Sequence, residues 1–110
     1  MSLAPRFVDV DHVTNHVTAM AGSTERLSCS VVGYPVPELV WYKDGMPLSI
    51  DGQREELMVG DDGGGPTLVK LMTDLVLGDL VPADSGRYRC TAFNVHGNAS
   101  FVYYLLVIGQ

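Results

Sequence analysis

The chain has 110 residues, the length of one domain, and carries 13 Asp and Glu against 7 Lys and Arg, a net charge of −6. That balance argues against a nucleic-acid binder, which would show a basic face. No apolar run reaches the ~18 residues of a membrane-spanning helix, so no membrane insertion is expected of this domain. The opening "MSLAPRF" lacks the basic end and long apolar core of a secretory signal. Residues 1–3 read as a cloning scar and residues 4–110 as a single domain cut from a longer protein.

Helical periodicity is weak throughout. Gly and Pro together supply 18 residues, and they fall between short runs rich in Val, Leu, Tyr and Thr. This is the pattern of an all-β sandwich, with turns punctuating strands. In chain order, strands are predicted at 5–10, 16–21, 24–32, 38–43, 54–59, 67–78, 86–94 and 98–108. The breaks are "AGS", "GYPVP", "KDGMP", "GDDGGGP", "VPADSG" and "NVHGN".

Strict alternation then assigns faces. In "RLSCSVV", Leu27, Cys29 and Val31 share one side; in "ELVWYK", Leu39 and Trp41 do; in "RYRCTA", Tyr88, Cys90 and Ala92 do. These sets fit one buried layer between two sheets.

Three residues make the pattern specific. Cys29 precedes Trp41 by twelve positions, and Cys90 closes the set behind "DSGRYRC", with a tyrosine, Tyr88, two positions before the second cysteine. This arrangement resembles an immunoglobulin domain over essentially the whole chain. "GYPVPELVWYKDGMPL" and the Asn94–Gly97 spacing in "CTAFNVHGNAS" resemble the intermediate, or I-set, pattern. The resemblance implies an all-β, two-sheet Greek-key sandwich. Cys29 and Cys90 would form the core pair, with Trp41, Leu77, Asp84, Gly86 and Tyr88 as the core signature.

The compartment stays open at this point. In a secreted protein the two cysteines would form a disulfide; in the cytosol they would remain thiols and act as small core hydrophobes. Asn98-Ala99-Ser100 is an acceptor sequon, making Asn98 a candidate N-glycan site if the parent is secreted. The separation of Trp41 and Cys90 is several residues longer than is usual for the I-set. The excess falls in the glycine-rich stretch at 60–66. A tolerated insertion between two strands fits better than a binding loop, because loop insertions cost little.

Nothing in the chain argues for an enzyme. No glycine motif cradles a phosphate, and "DDGGG" lacks the alternating ligands of a calcium loop. His12 and His16 would meet at helical spacing, but the local pattern is strand, which speaks against a zinc site. His96 reads as a solvated turn residue, and the hydroxyl of Ser85 as a turn cap. No cofactor, metal or small-molecule substrate is expected.

The closing run "NASFVYYLLVIGQ" is apolar on both faces. Ala99, Phe101, Tyr103, Leu105 and Val107 take the inward positions. The outward ones, with residues of neighbouring strands, give a candidate interface of Tyr42, Phe93, Val102, Tyr104 and Leu106, flanked by Arg87 and Arg89. Two alternatives compete with it: long side chains folded over the stripe, or a bulge that exchanges the two faces.

The resemblance implies a non-enzymatic interaction and structural module. Its partners would be other proteins or neighbouring immunoglobulin domains, including a second copy docked on the sheet of the last strand. The "P-x-F" start and "WYKDG" are similar to titin- and obscurin-like members, and that resemblance would place the domain in the cytoplasm of muscle or the actin cytoskeleton. The alternative is an extracellular module of an adhesion molecule or receptor.

Overall fold

The computed structural model describes residues 3–8, 15–48, 54–59 and 68–109, with backbone only at Leu3, 54–59 and 68–70. The described strands are β1 (Leu3–Phe7), β2 (His16–Met20), β3 (Glu25–Tyr34), β4 (Glu38–Lys43), β5 (Met46–Pro47), β6 (Arg54–Val59), β7 (Leu68–Leu77), β8 (Gly86–Asn94) and β9 (Gly97–Ile108). One 3-10 turn, Pro82–Asp84, precedes β8. The predicted strands are all present, and the two-residue β5 is added to them. Its brevity explains why no alternating run announces it. β1 begins at Leu3, inside the segment set apart as a scar, and Leu3 pairs with Tyr34.

The strands form two sheets, one ordered β1-β3-β7-β6 and the other β2-β9-β8-β4-β5. All described pairings are antiparallel except β2 with β9, which run parallel from His16 opposite Tyr104 to Met20 opposite Ile108. The glycine-rich stretch lies outside the described residues; the strands flanking it pair directly, Val59 opposite Leu68.

Alternation places the core where the sequence puts it. Leu27, Cys29 and Val31 of β3, Leu39 and Trp41 of β4, Tyr88, Cys90 and Ala92 of β8, and Tyr103, Leu105 and Val107 of β9 are buried together, with Leu71, Leu75 and Leu80. Leu77 packs against this cluster from a half-buried position. A disulfide joins Cys29 on one sheet to Cys90 on the other. Trp41 lies opposite Cys90 in the β4–β8 register, and its indole stacks on the Tyr103 ring at 6.3 Å.

Two tyrosine hydroxyls tie the layers further. Tyr88 donates to the carbonyl of Asp84, four residues upstream, the corner contact that the sequence spacing implies. Tyr103 donates to the carbonyl of Ser28 at 2.6 Å, bridging β9 to β3. Burial pushes the Tyr88 phenol up to about 12, helped by the nearby carboxylates of Asp84 and Asp44. Burial raises Tyr103 as well, against the Ser28 hydrogen bond, which acts to lower it.

The turn motifs acquire concrete roles. Asn94 is paired with Gly97 across the β8–β9 turn. Its side chain accepts the His96 N–H at 2.8 Å and donates to the Pro35 carbonyl at 3.1 Å, so it closes the turn and pins the loop before β4. Ser85 accepts the Val107 N–H at 2.9 Å, capping β9. At Gly86 a Cβ would stand 2.7 Å from a carboxylate oxygen of Asp44, and that carboxylate accepts the Arg87 N–H at 3.0 Å. The close approach is what requires glycine there.

Candidate functional site

β9 sits second from the edge of the five-stranded sheet, so residues on either side of it shape the outer face. Tyr103, Leu105 and Val107 are buried, while Tyr104, Leu106 and Ile108 are 44%, 53% and 43% exposed. The register is therefore the one that alternation predicts, and no bulge exchanges the faces.

The registers build the face row by row. One row joins Tyr42, Arg89 and Val102. The next joins Arg87, Tyr104 and His16. Beyond them Leu106 lies beside Thr18, and Ile108 beside Met20. In the other direction, Thr91 and Ser100 are opposite each other with their hydroxyls 3.0 Å apart.

That polar pair divides the expected stripe. Phe93 lies on its far side, opposite Asn98 and Glu38, and lines a shallow pocket with Pro35, Val36, Asn94 and Val95. Tyr42 and Val102 are half-buried, and the Arg89 guanidinium lies 4.6 Å from the Tyr42 ring centre. An arginine thus folds over part of the stripe, as one of the alternatives foresaw, while Tyr104 and Leu106 stay open.

Three exposed residues lay outside the candidate interface read from sequence: His16, Met20 and Ile108, although alternation had already turned Ile108 outward. The His16 ring stacks on Tyr104 at 5.0 Å, and Met20 is 59% exposed. Alternation within "HVTAM" turns His16 and Met20 outward once Val17 and Ala19 face inward. The missing information was the partner strand, because parallel pairing of β2 with β9 joins residues about ninety positions apart and leaves no local signal.

The face carries two arginines, Arg87 and Arg89, in an acidic chain. Among the described residues the ion pairs are Arg26 with Asp74 and Lys43 with Asp44. Neither involves Arg87 or Arg89. Asn98, the candidate glycan site, is exposed at the start of β9. His12 lies outside the described residues. No cluster of metal-ligating side chains occurs among the described residues, and no helix is long and apolar enough to cross a membrane.

The model of the immunoglobulin I-set domain matches residues 8–107. Hemicentin-2 of Mus musculus is 40% identical over 87 residues, covering 79% of this chain but 2% of its own length. The cell adhesion molecule DSCAM of Homo sapiens is 33% identical over 93 residues, covering 84% of this chain and 4% of its own. The chain thus spans a small fraction of these relatives. Among solved structures, titin domains Z1Z2 in complex with telethonin match at a TM-score of 0.69 and 29% identity, over all of this chain and 49% of that one. With two sheets, a Cys29–Cys90 disulfide, Trp41 in the core and a family match across nearly its whole length, this chain belongs to the immunoglobulin I-set family.

Proposed function

We propose that this domain is a non-enzymatic binding and structural module of a larger protein, and that it docks other proteins through the outer face of its five-stranded sheet. The observation that carries the reading is the exposed run Tyr104, Leu106 and Ile108 on β9, widened by Met20 of β2. A lone domain gains nothing from apolar side chains in water, and a continuous patch of them tends to mark an interface. Aromatic residues flanked by arginine have the composition of binding hot spots.

The setting we infer is the muscle and actin-cytoskeleton class. Likeness to titin domains supports it: the titin M3 domain matches over 97% of this chain at 30% identity and a TM-score of 0.64. Two observations favour a second setting, the surface of an adhesion protein, and the first is the Cys29–Cys90 disulfide, a bond of oxidising compartments. The second is Asn98, exposed within a sequon, and DSCAM is a cell adhesion molecule.

Two measurements test this. A photo-reactive amino acid at position 104, in the full parent protein, is expected to cross-link a partner; the same group at Val76, on the opposite sheet, is expected not to. Cross-linking from position 76 alone, or from neither, would end the reading of this face. The parent's own sequence decides the setting. A signal peptide followed by a spanning helix would replace the muscle assignment with the adhesion one.

A further inference from the structure

We infer that the partner of this face is an acidic protein segment with an apolar centre, held by Arg87 and Arg89 around the Tyr104–Leu106–Ile108 patch. This rests on the binding face proposed above and adds the chemistry of what fills it.

The argument begins with charge. The chain has nearly two carboxylates for every Lys or Arg, so a surface arginine has carboxylates in plenty to pair with. Arg26 does so, 3.4 Å from Asp74. Among the described residues, Arg6, Arg87 and Arg89 do not pair with any carboxylate, and of these Arg87 and Arg89 stand together on one strand. The nearby Asp44 is held elsewhere: it accepts the Arg87 backbone N–H at 3.0 Å and lies 3.6 Å from Lys43. Glu38 stands at the other end of the face, opposite Phe93. Arg89 is held over the Tyr42 ring, and its buried Nε makes no hydrogen bond.

Geometry continues it. Arg87 and Arg89 are two apart on β8, so both project outward roughly 7 Å from each other. Tyr104 and Val102 are their direct neighbours on β9. Carboxylates on a partner would meet the guanidinium forks, which suit bidentate pairing, and an aromatic or aliphatic group would cover Tyr104, Leu106 and Ile108. A polyanion without apolar groups gains less. Its dense charge meets the repulsion of a chain at −6, and nothing on it shields the patch. A partner with a few carboxylates pairs at close range, within a Debye length of ~8 Å.

The probe is a fluorescent random copolymer of glutamate and tyrosine, compared with polyglutamate and heparin, by anisotropy and by amide chemical shifts of the labelled domain. The copolymer is expected to bind more tightly than either comparison and to move the signals of residues 87–91 and 102–108. Arg87→Gln with Arg89→Gln should weaken it by about tenfold or more, Arg87→Lys with Arg89→Lys by less, and Arg26→Gln not at all. Melting curves of the double variants check that they fold. No binding of the copolymer, equal binding of polyglutamate, tighter binding of heparin, or indifference to the arginine changes would each overturn the inference. The two proposals fail separately. If Leu106→Ser loses binding while the arginine variants keep it, the face stands and the acidic partner falls. If the moved signals lie elsewhere, both fall.

Discussion

The two outer faces of this sandwich are built by the same alternation and end in opposite states. On the four-stranded sheet, Asp74 of β7 accepts the Ser28 hydroxyl at 2.7 Å and meets Arg26 at 3.4 Å, both from β3. There Asp74, Ser28 and Arg26 satisfy one another. On the five-stranded sheet, Arg87 has no carboxylate partner among the described residues, and Tyr104, Leu106, Ile108 and Met20 stand open to solvent. Local strand chemistry does not separate the two. What separates them is which strands lie side by side: β3 and β7 bring Arg26, Ser28 and Asp74 together, while β2, β8 and β9 bring two arginines beside exposed apolar residues.

The comparison assumes one shared core beneath both faces, and the largest effect expected is from cutting it. The Cys29–Cys90 disulfide closes a loop with a sequence separation of 61, which in the chain-entropy model stabilises the fold by about 4 kcal/mol. Replacing both cysteines by alanine should lower the unfolding free energy by about that amount. Urea unfolding, followed by the fluorescence of the single tryptophan, Trp41, and by circular dichroism, measures it. The two signals should move together. If they separate, the sheets unfold independently and the faces do not share a foundation.

A smaller effect comes from the phenols that tie the layers. Tyr88 is raised to about 12 and Tyr103 is raised too, because burial disfavours the phenolate. A folded value above the unfolded one, about 10, means that the stability tied to the neutral phenol is fully present below pH 10. It is lost as pH rises through about 12. The urea midpoint should therefore hold up to about pH 10 and fall steeply above it. In Tyr103→Phe, which lacks the bridge to Ser28, the fold should be weaker at neutral pH by about 1 kcal/mol and the alkaline fall shallower. An unchanged fall in that variant would assign it to Tyr88.

Much of this architecture was legible in the sequence, and its limits have physical reasons. Strand positions, the inward set on β9 and the core constellation follow from period-two alternation and fixed spacing, which are local. The outward placement of Tyr104 and Leu106 follows from the same period. The grouping on the face did not, because it depends on which strands are neighbours. The Thr91–Ser100 contact separates Phe93 from the others, and parallel pairing brings His16 and Met20 in. Arg89 over Tyr42 was among the foreseen alternatives, but which long side chain covers which ring is decided by packing rather than by pattern.

The smallest stability effects give the sharpest version of the comparison, since each face can be altered without touching the core. Asp74→Ala removes the acceptor for Ser28 and the partner of Arg26 on the paired face. These groups are partly exposed, so the loss should be no more than about 1 kcal/mol. Tyr104→Ser removes an exposed ring and its stacking with His16. A surface change away from caps and cores should cost within about 0.5 kcal/mol. Denaturant midpoints measure both. The expected order, with Asp74→Ala losing more stability than Tyr104→Ser, follows because Asp74 has partners within the chain and the exposed Tyr104 ring supports little of the fold. If Tyr104→Ser destabilised the isolated domain by about 2 kcal/mol or more, Tyr104 would be supporting its own fold, and the open face would be no more available than the other.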